Sequence, residues 1–213
     1  MPPVALSSES ARPPSTQACQ RILAAAKLLF GQRGYDGVSI RDVAQMAKAS
    51  KANVFHHFGS KAGLYSAVLE DTSSAFQAIL DSFDAAQQTP RQRISDFARR
   101  NLETMLADPA SVHLFLRQML NGRGNSQRQQ AEELIARDLN QLLARIRDET
   151  STGLPRSSHV DPLVLLLCIL GANFMYFQLQ DVLPQLRNAE QPLDQDRFIG
   201  ALMQLLETSL DGR

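Results

Sequence analysis

Apolar residues recur every three or four positions through most of this 213-residue chain, and this spacing constrains the fold more than any other feature. In the first such segment Ile22, Ala26, Leu29 and Phe30 follow the i, i+4, i+7, i+8 pattern of one helix face. No segment shows the apolar–polar alternation, bounded by turn residues, that is typical of a half-buried strand. The pattern therefore predicts an all-α fold with roughly nine helices.

Composition places the chain among folded proteins, with 44% hydrophobic and 21% charged residues. Residues 1–15 are rich in Pro and Ser without a period, which predicts a flexible tail. The first residues lack the basic and apolar regions of a signal peptide, and the two cysteines, Cys19 and Cys168, do not form a disulfide framework. The apolar run 163–177 is too short to cross a bilayer, so we expect a cytoplasmic protein without a membrane span.

Charge is balanced overall, with 22 basic and 22 acidic residues, but it is unevenly distributed. Residues 1–70 contain eight Lys and Arg against four Asp and Glu, whereas the rest of the chain carries the acidic excess. This asymmetry favours a small anion-binding module attached to an acidic body, with a solvated basic face as the alternative.

Two short helices separated by a tight turn are expected inside the basic third. Ser39 with Asp42 forms a capping-box variant that starts the first of them, Ser50 can cap the second, and Gly59 ends it. This is the pattern of a helix-turn-helix, whose second helix enters the DNA major groove. There Lys51 could donate to guanine or to phosphate and Asn53 could bond adenine.

The stretch from Ile22 to Val68 resembles the DNA-binding domain of the TetR/AcrR family of one-component regulators. The matching runs are Ala25-Ala-Lys-Leu-Leu-Phe, Gly34-Tyr-Asp-Gly-Val-Ser-Ile-Arg-Asp-Val-Ala and Ala49-Ser-Lys-Ala-Asn-Val-Phe-His-His-Phe-Gly-Ser-Lys-Ala-Gly-Leu-Tyr. The resemblance implies DNA contacts from Ser39, Arg41, Lys51, Ala52, Asn53, Phe55, His56, His57 and Lys61. Two positions depart from the family pattern, because Asn53 stands where a small hydroxyl residue is common and Phe55 where Tyr is common.

On this basis residues 16–62 are expected to form the helix-turn-helix domain and residues 63–213 a helical regulatory and dimerisation domain. The family implies a homodimer, and the two most apolar C-terminal segments are the expected interface. Its predicted residues are Leu166, Leu170, Phe174, Phe198, Leu202 and Leu205. A mostly apolar effector pocket is predicted from mixed polar and apolar side chains at Arg100, Asn101, Met105, Phe115, Met119, Asn173 and Tyr176, with ordinary core packing as the alternative.

No nucleophile–base set, phosphate-binding glycine loop or metal-ligand pattern occurs, so we expect no enzyme activity, cofactor or metal. The adjacent His56 and His57 do not share a helix face, and Phe55 and Phe58 fit a core better than base stacking. The sequence thus predicts a ligand-responsive regulator, a repressor that binds a pseudo-palindromic operator as a homodimer and is released by a small apolar effector. The alternative is a helical ligand-binding or adaptor dimer without sequence-specific DNA binding.

Overall fold

The computed structural model describes residues 14–81, 88–120, 126–153, 161–186 and 193–210. Within these ranges the chain forms nine α-helices, one short 3-10 helix and no β-strand, which confirms the all-α prediction. The helices are α1 (Pro14–Arg33), α2 (Ile40–Met46), α3 (Lys51–Phe58), α4 (Lys61–Leu80), α5 (Pro90–Ala107), α6 (Pro109–Leu120), α7 (Ser126–Gly153), α8 (Pro162–Leu179) and α9 (Gln195–Leu210), with the 3-10 helix at Leu183–Gln185. Of the tail predicted at 1–15, residues 1–13 lie outside the described residues, and α1 begins at Pro14.

Helix starts follow local capping chemistry. Ser39, Thr89 and Asp161 each accept a hydrogen bond from a backbone N–H of the first turn that has no partner inside the helix. Pro90 and Pro162 occupy the first positions of α5 and α8, where a missing N–H costs nothing and the fixed φ suits the helix. These signals set where each helix begins, and the apolar faces set how the helices pack.

The first hydrophobic core is built by α1 to α4. Ile22 and Phe30 of α1, Val43 of α2, Val54 of α3 and Tyr65 of α4 are almost completely buried in it. The Phe30 and Tyr65 rings meet edge to face with their centroids 5.0 Å apart, an arrangement that aromatic quadrupoles favour. This core fixes the orientation of the two short helices.

A second core lies among α5, α7, α8 and α9 and the end of α4. Its fully buried members include Phe97, Leu142, Ile146, Leu165 and Ile169. Helix α4 contributes to both cores, because Leu64 to Leu69 pack in the first and Ile79 and Leu80 in the second. The domain boundary predicted at 62/63 therefore falls in the first turn of a helix that both cores share.

Helix α6 lies tightly against α1. A Cβ at Gly31 would lie 3.0 Å from the Ala110 carbonyl oxygen, so a side chain there would push α6 away from α1. At the end of α1, the Arg117 guanidinium donates to the carbonyls of Gly31 (3.1 Å) and Gln32 (2.7 Å), which suits a cation at a helix C-terminus. The position of α6 is thus tied to the first core through backbone contacts.

Lys27 of α1 strengthens this junction by bridging two other helices. Its Nζ lies 2.7 Å from Asp71 of α4 and 2.9 Å from Asp108 at the start of α6. Burial opposes the charge on Lys27, but the hydrogen bonds to Asp71 and Asp108 outweigh it and raise its pKa.

Candidate nucleic-acid interface and effector cavity

The turn between α2 and α3 is held by backbone and side-chain hydrogen bonds. The Ser39 amide and hydroxyl donate to the Asp42 carboxylate at 2.8 and 2.6 Å, and the Asp42 amide donates back to the Ser39 hydroxyl oxygen at 3.2 Å. The Ala49 amide closes the turn on the Ala44 carbonyl at 2.9 Å, with Lys48 in the left-handed region at φ 50°. Hydrogen bonds from the Ser39 hydroxyl and amide lower the pKa of Asp42, so this cap is ionised at neutral pH.

Helix α3 presents one exposed face to solvent. Lys51, Ala52, Phe55 and His56 are exposed and follow the i, i+1, i+4, i+5 spacing of a single face, whereas Val54 is buried on the opposite side. No acidic residue occurs in α3, so the face carries positive charge only. Asn53 and His57 are half-buried at its edges, and Arg41 is exposed on the neighbouring α2.

The two phenylalanines of α3 have different environments. Phe58 packs against the first core, in agreement with the expectation from sequence. Phe55 is 49% exposed, so the expectation that it too belongs to the core was wrong. Its ring is open to a partner because it points away from the face that carries Val54.

The start of α4 is fixed against the end of α3. Gly59 adopts φ +70°, and a Cβ at Gly63 would lie 2.2 Å from the Phe58 carbonyl oxygen, so both positions require glycine. The Ser60 hydroxyl accepts the Gly63 amide at 2.9 Å. Lys61 then sits at a helix N-terminus with its Nζ 4.3 Å from the centroid of the Tyr35 ring, a cation–π contact that orients the ammonium.

The helix-turn-helix module is similar in sequence to known bacterial regulators. Residues 22–68 match the model for bacterial regulatory proteins of the tetR family. This match assigns the module, residues 22–68, to the tetR family. The regulator RutR of Escherichia coli K12 is 35% identical over 101 residues, and that alignment covers 47% of each protein, so the chain spans about half the length of the curated relatives it matches.

Solved structures show the same fold over nearly the whole chain. A TetR-like transcriptional regulator from Rhodococcus sp. RHA1 superposes with a TM-score of 0.69 at 18% identity, covering 95% of this chain and all of that one. AibR, solved in complex with isovaleryl coenzyme A and operator DNA, superposes with a TM-score of 0.63 at 20% identity, covering 88% of this chain and 97% of that one. The second core and the helices around it therefore have the TetR-like architecture.

Helices α4 to α8 surround a cavity of about 360 Å³. Its walls are mostly apolar and include three aromatic rings, those of Phe76, Phe115 and Phe174. The volume lies within the range of small-molecule sites and corresponds to roughly twelve water molecules of liquid.

The structure places the predicted pocket residues in several locations. Asn101, Met105 and Phe115 line the cavity. Arg100 is exposed, and it does not line the cavity because it lies one position away from the inward face that carries Asn101 and Met105. The side chain of Met119 lies outside the described residues.

Asn173 and Tyr176 also do not line the cavity. Asn173 is completely buried behind α5 and donates to the Ala98 carbonyl and to Asn101 Oδ1, at 2.8 and 3.0 Å. Tyr176 stacks on Phe198 with the ring centroids 4.5 Å apart, in contact with the second core. Both were predicted from polarity on an apolar helix, a signal that does not distinguish a cavity wall from a buried contact between helices.

Two carboxylates border the cavity, and both already have partners. Asp138 accepts from Ser73 (2.6 Å), Gln77 (2.9 Å) and Arg137 (3.1 Å). Asp108 accepts from the Ser111 hydroxyl at 2.7 Å and from Lys27. Burial alone would raise the pKa of Asp108, but the bonds from Ser111 and Lys27 lower it.

Gln118 connects the cavity to the first core. It lines the cavity, is nearly fully buried, and donates a hydrogen bond to the Tyr65 hydroxyl. Burial raises the pKa of Tyr65 to about 12, although the bond from Gln118 opposes this. Sequence reasoning missed both residues because a Gln and a Tyr inside helical patterns carry no signal for a long-range contact.

The predicted dimer residues divide between core and surface. Leu166 and Leu202 are buried within the protomer, so assigning them to an interface was wrong. Leu170 and Phe174 line the cavity, Phe198 stacks on Tyr176, and Leu205 is 68% exposed. The error arose because the almost uniformly apolar α8 gives no sequence signal for which face points outward.

The exposed apolar surface of α8 lies on another face of that helix. Together with the exposed Leu205 of α9 we call it the α8–α9 face, and its α8 members are Leu163, Val164, Leu167, Met175 and Leu179. By length and composition α8 could cross a membrane, yet it packs against α5, α7 and α9. Several large apolar side chains exposed on two helices of a bundle are typical of an interaction site.

Metal ligands were not expected, and none of the described His, Cys, Asp and Glu residues group as a metal site. His56 and His57 lie beside each other on α3 with ring centroids 5.3 Å apart, His56 on the exposed face and His57 at its edge. Cys19 is half-buried and Cys168 exposed, and both are free thiols.

Proposed function

We propose that this chain is a cytoplasmic transcriptional repressor that binds a pseudo-palindromic DNA operator as a homodimer and dissociates when a small molecule enters the cavity. The observation that carries the proposal is the exposed, wholly non-acidic face of α3 on a TetR-family helix-turn-helix. A helix with this face fits the major groove with its first turn toward the base edges.

Base reading is assigned to Lys51 and Asn53, whose side chains have no intramolecular hydrogen bond among the described residues. A Lys at this position can donate to guanine O6 and N7, and an Asn can bond adenine N6 and N7. Ser39, Arg41, His56, His57 and Lys61 would contact phosphates or base edges, and Ala52 and Phe55 would meet thymine methyl groups. Lys61 is well suited to a phosphate because it joins an ammonium to a helix N-terminus.

Homodimerisation through the α8–α9 face follows from its exposed apolar side chains, which water would otherwise solvate unfavourably. A two-fold dimer presents two α3 helices to one side of the duplex, and half-sites one turn apart, about 34–36 Å, match that symmetry. This is why we expect an inverted repeat.

The cavity supplies the regulatory input. AibR is described in complex with both a small molecule and operator DNA, which supports a similar arrangement here. A ligand that favours a conformer with wrongly spaced α3 helices weakens DNA binding by the ratio of its affinities for the two conformers. The contact of Gln118 with Tyr65 gives such a ligand a route to the helix-turn-helix core.

Selection of bound fragments from a random DNA pool, at two salt concentrations, tests the proposal. We expect enrichment of an inverted repeat by the wild type. The Lys51→Ala, Asn53→Ala variant should lose discrimination against random DNA by about 1–3 kcal/mol for each base contact removed. Lys61→Ala, as a phosphate-contact control, should weaken binding to all sequences alike and reduce the slope of log affinity against log salt by about one.

The opposite result would be weak, salt-sensitive binding with no enriched sequence. In that case the helical body would be the functional part, as in a ligand-binding or adaptor dimer. A reporter gene placed behind the recovered repeat then separates repression from activation, and we expect expression to fall when the protein is present.

A further inference from the structure

The polar groups on the cavity wall define the chemistry of its ligand. Two donors on α5 face the cavity one helical turn apart, Asn101 and Thr104. Asn101 is 7% exposed, and its Oδ1 accepts from Asn173, whereas its Nδ2 has no acceptor among the described residues. The Thr104 hydroxyl likewise has no hydrogen bond within the described part of the chain.

An amide N–H that faces an apolar cavity needs an acceptor there, because a ligand that displaces water from it would otherwise leave the group unsatisfied. The backbone groups around it are engaged in helix bonds, and Asn173 occupies the other side of the Asn101 amide. The remaining direction is the cavity itself. An oxygen of a bound molecule placed there would accept from Asn101 and from Thr104 together.

The charges around the cavity restrict the ligand further. Among the described residues that line it, none is Lys, Arg or His, whereas two are aspartates. A carboxylate or phosphate that entered this space would find no cation on the cavity wall, and Asp108 and Asp138 would be nearby. Because the surroundings are apolar, the loss of its hydration would be costly.

A cationic ligand gains little from the same aspartates. Lys27 lies 2.9 Å from Asp108, and Arg137 lies 3.1 Å from Asp138, so each carboxylate already has a positive partner. Their oxygens also accept from Ser111, Ser73 and Gln77. An ammonium would lose its hydration and would have to compete with these donors for the carboxylate oxygens.

We propose that the cavity takes an uncharged, largely apolar molecule with a carbonyl-type oxygen, held by Asn101 Nδ2 and Thr104 Oγ1, and that it excludes carboxylates, acyl-coenzyme A and amines. This assignment rests on the proposed function only in treating the ligand as the effector. Asn101 and Thr104 recognise the oxygen, and the aromatic walls take up the apolar part.

Isothermal titration calorimetry on the full chain without DNA tests the assignment with three straight-chain probes of equal heavy-atom number, 2-undecanone, decanoate and undecylamine. At about pH 7.5 the second is an anion and the third a cation. We expect 2-undecanone to bind at least about tenfold more tightly than either charged probe. Equal or tighter binding of decanoate or undecylamine, or no binding of the ketone, would overturn the proposal.

Variants locate the oxygen site. Thr104→Val removes only the hydroxyl and should weaken ketone binding about two- to tenfold, whereas Thr104→Ser keeps the hydroxyl and should retain it. Asn101→Leu should weaken ketone binding by a similar factor. If that variant folds poorly, the comparison of Thr104→Val with Thr104→Ser still tests the oxygen site. Unchanged ketone affinity in Thr104→Val and Asn101→Leu would remove both residues from recognition.

Because binding is measured without DNA, these outcomes are independent of operator selection. If the ketone does not bind but DNA selection recovers an inverted repeat, the ligand class is rejected and the repressor is not. Tight ketone binding without any enriched DNA sequence keeps the ligand class and rejects the repressor.

Discussion

Gln118 on the cavity wall donates a hydrogen bond to the hydroxyl of Tyr65, a residue completely buried in the helix-turn-helix core. The rings of Tyr65 and Tyr35 meet edge to face with their centroids 5.1 Å apart, and the Lys61 ammonium lies over the Tyr35 ring. A displacement of Gln118 by a ligand would thus reach the candidate phosphate contact through two aromatic neighbours. The hydrogen bond thus connects the cavity wall directly to the helix-turn-helix core.

A double-mutant cycle on this pair should show coupling. Gln118→Leu and Tyr65→Phe each remove the same hydrogen bond, so their combined effect on the free energy of unfolding should be less than additive by about 0.5–1.5 kcal/mol, as measured by urea denaturation. Gln77→Leu is the matched control, because Gln77 donates to Asp138 and should combine additively with Tyr65→Phe. Strict additivity of the Gln118 and Tyr65 changes would mean that the bond carries no energy.

Stability should fall in alkali through Tyr65. Its pKa is raised from 10.0 to about 12 in the folded protein, so the stabilisation is fully present below about pH 10 and is lost as pH rises toward 12. The corresponding free energy is about 2–3 kcal/mol at about 1.4 kcal/mol for each pKa unit. Between these pH values the free energy of unfolding, measured by urea denaturation, should fall more steeply with pH for the wild type than for Tyr65→Phe. Parallel pH profiles of the two proteins would contradict the raised pKa.

The two phenylalanines of α3 should separate folding from DNA binding. Phe58→Ala removes a ring that packs on the first core and should lower the free energy of unfolding by about 2–4 kcal/mol. Phe55→Ala should change stability by less than about 0.5 kcal/mol, because the ring is half-exposed, but it should weaken operator binding. Thermal unfolding and DNA titration of both variants are the measurements. Wild-type operator affinity in Phe55→Ala would exclude the ring from the interface.

Oligomeric state should depend on the α8–α9 face. Leu167→Asp or Leu205→Asp places an unpaired charge where apolar surface is expected to be buried, and light scattering should then report monomers. Met46→Asp is a control at a similarly exposed apolar residue of the first module, and it should leave the dimer intact. A persistent dimer in both leucine variants would locate the interface elsewhere.

Local signals made the helix-turn-helix predictable, whereas contacts between distant helices were not. Ser39, Ser50 and Gly59 mark helix ends by their own chemistry, so α2 and α3 follow from the sequence. Helix α8 is apolar on all sides, and only packing decides that Leu166 points inward and Leu167 outward. In the same way Thr104 and Gln118 line the cavity because of the helices packed opposite them. Periodicity within one helix does not predict that packing.

Because α4 belongs to both cores, it limits where two such regulators can be joined to make a hybrid. Its first half completes the core around Tyr65, and its second half forms a wall of the cavity. A hybrid joined between residues 62 and 63 would therefore pair one parent's α1 with another parent's Leu64, Tyr65 and Val68, and would also separate Lys27 from its own Asp71 and Asp108. Evolution or engineering can graft a new specificity onto this scaffold only if α4 and α6 travel with the helices that read the DNA.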